Sequence, residues 1–493
     1  MNDSSNMNTN SLQKKTIRNL LWRFAERCGA QLVSLVVSIV LARLLEPEAY
    51  GIVALITVII TILQVFVESG LGSALIQKKG ADKLDYSTVF IFNIGMSLVI
   101  YAVLYIIAPY LALFYENSEI SLMIRVLGTT LLFYAVRNVQ QAYVSKHLMF
   151  KQYFFATLVG TVTAAIVGIS IAYMGGGAWS LVIQQITNTV VGTVALFCAV
   201  KWKPQWHFSW TRFKQLFSFG WKLLISGLIN TGYNNLRQLI IGKIYTNEDL
   251  AFYNQGDKYP LALITAINST IDAVLFPVMS SEQDHLERLK LMTRRAIKTS
   301  SFILWPIMLG LAAVAKTFVS VLLTDKWLPC VPYMQALAIS YAFWPIHTAN
   351  LNAINALGRS DIYMKLEILK KSFGIAVICI SVFCFDSPIV IALSSILTGF
   401  ISLLINAFPN RKLLNYGLIE QIKDIAPSIC LAMVMAGVVL LMGYLPISKV
   451  FLLFLQIIVG GIIYIGLSFL LKVDSFFYLC NIVKGFVRKE NTV

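Results

Sequence analysis

Charge is what this sequence has least of. Only 13% of its 493 residues are Asp, Glu, Lys or Arg, against 57% hydrophobic, where soluble domains run near ~25% charged. So little charge leaves no room for a sizeable soluble domain. The apolar residues fall in blocks of about 18–25, long enough to cross a ~30 Å hydrocarbon core as a helix. The short alternating segments of a transmembrane barrel are missing. Cysteine is sparse and unpaired in pattern: residues 28, 198, 330, 379, 384, 430 and 480 are odd in number, hold no CxxC and lie mostly in apolar stretches. They read as small hydrophobes, not as a disulfide framework or a thiolate metal site. The four histidines (147, 207, 285 and 347) stand too far apart for metal-ligand spacing. No cofactor or metal is expected. The leading MNDSSNMNTNSLQKK has no apolar core or small-residue cleavage site, so it is a polar tail and not a signal peptide.

What remains describes an all-α polytopic membrane protein of about fourteen transmembrane helices. Six are expected near 22–43, 50–72, 87–109, 121–145, 153–174 and 178–200. Six more lie near 216–242, 251–279, 297–323, 331–357, 364–385 and 388–408, and a last pair near 425–444 and 450–471. With the N-terminus inside, Lys and Arg crowd the inner loops, while the outer loops hold just Lys243, Lys326 and Lys449. The positive-inside rule then puts both termini in the cytosol. Basic loops beside anionic membrane lipids account for most of the net charge of +16 without any nucleic acid. The interleaved tryptophans and cations of WKPQWHFSWTRFKQLF (202–217) read as an interfacial helix, and SSEQDHLERLKLMTRRA (280–296) as a solvated connector between two halves.

Those halves resemble each other. IVLARLLEPEAYGI (39–52) is similar to LIIGKIYTNEDLAFYN (239–254), and IIAPYLALFYEN (106–117) to AVAKTFVSVLLTD (313–325). An offset of about six helices implies a parallel pseudo-repeat: two six-helix lobes around a central cavity, plus two peripheral C-terminal helices. The chain divides into a cytosolic tail (1–18), a first lobe (19–201), an interfacial linker (202–215), a second lobe (216–412), appended helices (413–473) and a C-terminal tail (474–493).

Polar side chains inside spans cost free energy unless they face a cavity or a partner, and their spacing shows which helix faces do so. The first span aligns Arg23, Arg27, Gln31, Ser34 and Ser38, with Glu26 beside them. The fourth contributes Arg137, the seventh Lys222, Ser226, Asn230, Asn234 and Arg237, and the eleventh Lys370 and Lys371. Glu68, Asp257, Asp272 and Glu367 are either coupling-ion sites or ion-pair partners of these cations. Cations outnumber acids in the spans, so the cavity suits an anion, with phosphate the obvious class. The last two spans are apolar apart from Ser428, Gln456 and Ser468, and are expected to line nothing.

LARLLEPEAYGIVAL (41–55), ESGLGSALIQKK (68–79), FYNQGDKYPLALI (252–264) and LTDKWLPCVPYMQALAI (323–339) resemble the Wzx-type polysaccharide flippases of the MATE/MviN-like superfamily. The nearest branch is that of the colanic acid and teichuronic acid exporters. The resemblance implies two lobes around a V-shaped cavity in the bacterial cytoplasmic membrane. It also implies a substrate, an undecaprenyl-pyrophosphate-linked oligosaccharide, moved from the inner to the outer leaflet. Arg23, Arg27 and Arg237 are similar in position to arginines thought to hold pyrophosphate in that group. A polysaccharide polymerase and a chain-length regulator would be partners. Two other functions fit parts of the sequence. A cation-coupled multidrug exporter of the same superfamily would want an acidic binding lobe. A polymerase or glycosyltransferase acting on lipid-linked glycans would want a long outer loop, and every outer loop here is short.

Overall fold

The structure is a computed structural model and describes residue 29 and residues 33–490. Among these residues there are helices and no strands. The first half runs α1 (Val33–Leu44), α2 (Pro47–Glu68), α3 (Leu71–Gln77), α4 (Lys83–Phe114), α5 (Glu119–Gly128), α6 (Thr130–Lys146), α7 (Phe150–Tyr173), α8 (Ala178–Ala199) and α9 (Trp210–Ile244). The second runs α10 (Asn247–Ser281), α11 (Leu286–Leu322), a 3-10 turn (Asp325–Cys330), α12 (Val331–Tyr341), α13 (Trp344–Ala356), α14 (Ser360–Cys384), α15 (Pro388–Leu413), α16 (Leu418–Met442), α17 (Lys449–Leu470) and α18 (Asp474–Glu490).

Local chemistry sets many of these boundaries. Proline at the start of α2, α12, α13 and α15 gives up an N–H that a first turn leaves unused. At α4, the Asp82 carboxylate accepts from the Asp85 N–H, and the Asp85 side chain accepts from the Asp82 N–H, a reciprocal capping box. Among the described residues nine helical segments are long and apolar enough to cross a membrane, with α5 and α6 counted together as one (Glu119–Lys146). The other expected spans fall outside that set for visible reasons. Helix α1 is described only from Val33. Helices α9, α10 and α14 are long but carry the polar stripes, and the expected 331–357 span is broken between Tyr341 and Trp344.

The pseudo-repeat reappears in the turns. Helix α1 ends at Leu44 and α2 starts at Pro47; α9 ends at Ile244 and α10 starts at Asn247. Two residues beyond the ends of α4 and α11, Glu116 and Thr324 both take a left-handed backbone, at φ 56° and 93°. The fourth long segment of each half is broken midway, into α5 and α6 and into α12 and α13.

By contacts the chain forms two compact units, up to Ala251 and from Phe252. The division lies one long helix beyond the expected 202–215 linker, because α9 packs on α2, α3 and α4. The linker itself departs from expectation. It is not an interfacial helix: residues 200–209 carry no helix, which begins only at Trp210 and continues through the seventh span. Trp202 is no headgroup anchor. It is 4% exposed and packs among Tyr86, Phe90 and Tyr143. Backbone N–H groups of Gln205 and Ser209 donate to Ser87 and Thr88 on α4, which holds this non-helical segment against that helix. Nor is 286–296 a separate solvated connector. It is the first three turns of α11, with Leu289, Thr293 and Ile297 buried.

Helices α7 and α8 pack most closely where glycines meet. A Cβ on Gly160 would stand 2.9 Å from the Gly192 Cα and 3.0 Å from the Asn188 carbonyl. Small residues of this kind let membrane helices approach. Gly160→Leu is expected to lower stability by about 1–3 kcal/mol through overpacking. Gly461→Leu, where a Cβ meets nothing within 4 Å, should be near neutral. Thermal unfolding of the two variants in one detergent decides it; equal midpoints would contradict the close approach.

Candidate functional site

Arg23, Glu26, Arg27 and Gln31 lie outside the described residues. In the first unit Glu68 is the last residue of α2, and its carboxylate is met by side chains of Tyr134 and Asn138 on α6. Arg137, one turn along α6, is half-buried. Its guanidinium carbon lies 5.9 Å from the Tyr153 ring centre on α7, and its Nη1 stands 3.5 Å from where a Cβ on Gly192 would sit. Tyr134 is within electrostatic reach of both Glu68 and Arg137. Arg137 makes no ion pair with Glu68 or with any other carboxylate among the described residues.

Helix α9 buries Phe213, Leu216, Gly220, Ile241 and Gly242. Its polar stripe stands apart from that packed face: Lys222, Ser226, Asn230 and Asn234 are exposed and Arg237 is half-buried. A row of one cation, a hydroxyl and two carboxamides ending at an arginine can donate repeatedly to phosphate and sugar oxygens.

In the second unit the structure brings several predicted residues together. Thr348 donates to Asn268 at 3.0 Å and Asn352 to Asp272 at 2.8 Å, so α10 and α13 are joined by two rungs one turn apart. Glu367 and Lys370 on α14 pair directly. Tyr363 lies within electrostatic reach of both Glu367 and Asp272. Lys370 faces His347 of α13, whose Nδ1 is 3.3 Å from the Asn406 amide of α15. In this conformation Asp272 and Glu367 are internal partners of neighbouring side chains. Lys371 is half-buried at the next position of α14. Asp257, 9% exposed, accepts a hydrogen bond from the Tyr341 hydroxyl at 2.5 Å and sits apart from this group.

Sequence reading missed His347, Asn352 and Tyr363. The spacing of four shared by Asn268 with Asp272 and by Thr348 with Asn352 was the available signal. It also missed the C-terminal end of α15 and the N-terminal end of α16. Asn350, none of it exposed to solvent, joins the equally buried Asn410 and Gln421 carboxamides through bonds of 2.6–3.0 Å. Next to them Asp424 receives Arg294 through two bonds at 2.7 and 2.9 Å and the Tyr416 hydroxyl at 2.8 Å. At the opposite end of α11, Asp325 is bound by Lys449 at 2.8 Å. The Lys449 and Ser320 hydrogen bonds hold the Asp325 carboxyl below its ordinary range, so this strap is complete above that range and loosens as pH falls through the lowered value.

Residues 40–332 match the family described as polysaccharide biosynthesis protein. The chain belongs to that family. It is 26% identical over 303 residues to the teichuronic acid biosynthesis protein TuaB of Bacillus subtilis, covering 61% of this chain and 62% of that protein. It is 24% identical over 380 residues to the lipopolysaccharide biosynthesis protein WzxC of Escherichia coli, covering 75% and 76%. Against the succinoglycan biosynthesis transport protein ExoT of Rhizobium meliloti the identity is 23%, with 67% of each chain covered. Among solved structures, the inward closed conformation of the lipid II flippase MurJ superposes with a TM-score of 0.75 at 15% identity, over 93% of this chain and 99% of that one. An inward-facing multidrug transporter of the MATE family gives 0.61 at 14% identity, over 80% and 98%. The fold is therefore that of the MurJ and MATE transporters, and the protein is a multi-pass membrane protein.

Proposed function

We propose that this protein moves lipid-linked oligosaccharide repeat units, carried on undecaprenyl pyrophosphate, from the inner to the outer leaflet of the bacterial cytoplasmic membrane. It is a transporter and not an enzyme. Family membership carries the reading: relatives named for three different glycans share most of this chain, and one of them is named as a transport protein. In this reading what the three glycans have in common is a lipid pyrophosphate carrier, and the cation-rich spans suit that group. In this reading both termini are cytosolic, residues 19–201 and 216–412 form the six-helix lobes, and 413–473 are appended. Arg23, Arg27 and Arg237 meet the pyrophosphate, braced by Glu26 and assisted by Gln31, Arg137, Lys222, Lys370 and Lys371. Asn230 and Asn234 bind sugar hydroxyls. Glu68, Asp257, Asp272 and Glu367 serve as ion-pair partners or hold a coupling ion. Anionic lipids flank the basic loops, and a polymerase and chain-length regulator receive the product.

Deletion tests the reading. Lipid-linked oligosaccharide should accumulate in the inner leaflet; accumulation in the outer leaflet would overturn it. Arg237→Glu in the full chain should cut surface polysaccharide by about ten- to a hundredfold. That is the cost of one lost charge-assisted hydrogen bond of roughly 1.5–3 kcal/mol, and Arg237→Lys should retain part of the activity. Unchanged polysaccharide in Arg237→Glu, at equal expression, would remove this residue from the site.

A further inference from the structure

Three helix junctions of the first unit, α1–α2, α4–α5 and α9–α10, meet around a cavity of about 550 Å³, within the roughly 300–1,000 Å³ range of small-molecule sites. Glycine lets them come together. A Cβ on Gly51 would stand 1.7 Å from the Asn247 carbonyl oxygen, and one on Gly242 3.0 Å from the Leu55 side chain. Lys243, the one cation in the lining, ties the third junction to the second by donating to the Phe114 carbonyl at 2.6 Å and to Glu116 at 3.0 Å. Glu48 and Glu248 also line the cavity, each from the first turn of its helix. Both are exposed, and their carboxylates have no partner among the described residues. Tyr115 and Tyr245 in the wall are half-buried, and Ile244 is its one aliphatic side chain.

This lining excludes several kinds of ligand. Three carboxylates against one ammonium leave it net negative, which repels phosphate and other anions. A metal ion is no better suited, because among the described residues no three His, Cys, Asp or Glu side chains are placed to hold one. An apolar ligand would want a mostly hydrophobic wall. A neutral ligand rich in hydroxyls does suit it. Hydroxyls donate to carboxylates in charge-assisted bonds about twice as strong as neutral ones, and tyrosine rings offer an apolar face to the C–H side of a sugar ring. We propose that the cavity binds neutral sugar residues of the transported glycan, with Glu48 and Glu248 accepting from their hydroxyls, and discriminates against uronic acids. The source of the sugar rests on the transport reading above, whose orientation puts these junctions on the outer side, where the glycan arrives.

Saturation-transfer NMR on the purified full chain tests it, in lauryldimethylamine oxide, a detergent without a sugar headgroup. The probes are the methyl glycosides of glucose, galactose and N-acetylglucosamine, with methyl glucuronide as the charged counterpart of the first. Neutral glycosides should bind, and methyl glucoside should bind about fivefold more tightly than methyl glucuronide, the effect of one like charge at about 4 Å in water. Glu48→Gln with Glu248→Gln should weaken neutral binding about tenfold, as charge-assisted bonds become neutral ones, and should remove the preference. Ile244→Trp, which narrows the cavity from an exposed position, should also weaken binding and stands in if the double variant does not fold. No transfer to any neutral glycoside, glucuronide binding as tight as glucoside, or binding unchanged in both variants overturns the proposal. Displacement of the glycoside by calcium chloride also overturns it, in favour of a cation site. The assay involves neither lipid carrier nor transport, so its failure leaves the transport reading standing, whereas outer-leaflet accumulation on deletion would sink that reading alone.

Discussion

The double variant Lys78→Ala with Arg212→Ala is expected to destabilise the protein by about 3–5 kcal/mol, the cost of leaving a buried charge without its partners. The charge is Asp85, which has no solvent exposure. Lys78 reaches it at 2.6 Å from the end of α3 and Arg212 at 3.3 Å from the first turn of α9, where Arg212 also pairs with Asp82. Which partner is removed decides the size of the effect. Lys78 and Arg212 keep side-chain exposures of 23% and 35%. If Asp85 is lost instead, both cations turn to water. Asp85→Ala should therefore cost less, roughly 1–3 kcal/mol, from a lost cap and an emptied site. Replacing all three residues with Met and Leu should recover most of the loss, since a buried ion pair is close to neutral against a packed apolar equivalent. Denaturant or thermal unfolding of the three variants checks the order. If Asp85→Ala were worse than the double variant, desolvation of Asp85 would not be the dominant cost. Arg212 stands 127 residues from Asp85 in sequence, so the pair also anchors the N-terminal end of α9, whose polar stripe is proposed to meet substrate.

That separation marks the limit of what the sequence made legible. Apolar blocks located the helices, because span length and hydropathy are local properties. The Leu44–Pro47 and Ile244–Asn247 junctions were legible as a repeat, because each is written in a few consecutive residues. Helix faces could be read from spacing too, and the α9 stripe does stand clear of the packed side. Partner choice could not be read. Trp202 lay in a basic, aromatic stretch with the composition of an interface anchor, yet three aromatic rings from α4 and α6 enclose it. Glu367 was left open between a coupling-ion site and an ion-pair partner of the span cations; a spacing of three puts it on one helix face with Lys370, where the two satisfy each other. Asp272 was weighed as an ion site without sight of Asn352, eighty residues away. The carboxamides of Asn410 and Gln421 sat near helix ends, where polar residues are ordinary, and nothing local marked them or Asn350 in the middle of α13 as buried.

The joint variant Gln421→Ala with Asp424→Ala is expected to cost roughly 3–5 kcal/mol, although both residues lie on an appended helix. In a soluble protein the apolar face of α16 would dominate: Ile425, Leu431, Ala432 and Met435 are all buried in the core of the second unit. Inside a membrane that term shrinks, because lipid chains replace the contacts almost as well as protein does. Polar links then set the strength of docking. Without Gln421, the side chain of Asn350 loses both an acceptor at 2.9 Å and a donor at 3.0 Å while remaining unexposed. Asn350 keeps Ile346 and Asn410 as partners, so each of these two lost bonds costs about 0.5–1.5 kcal/mol, whereas a buried polar group left wholly unpaired costs about 1–3 kcal/mol. Without Asp424 the Tyr416 hydroxyl is orphaned in the interior, whereas Arg294, 43% exposed, turns to water. The two losses are adjacent, so their sum is reduced by shared relaxation. Unfolding in detergent should show the drop, and limited proteolysis should release α16–α18 earlier than in the parent protein. Met435→Ala, a purely apolar truncation on the same helix, should leave that cleavage pattern nearly unchanged. Were Met435→Ala the more damaging of the two, packing and not the polar set would be what holds α16 to α11, α13 and α15.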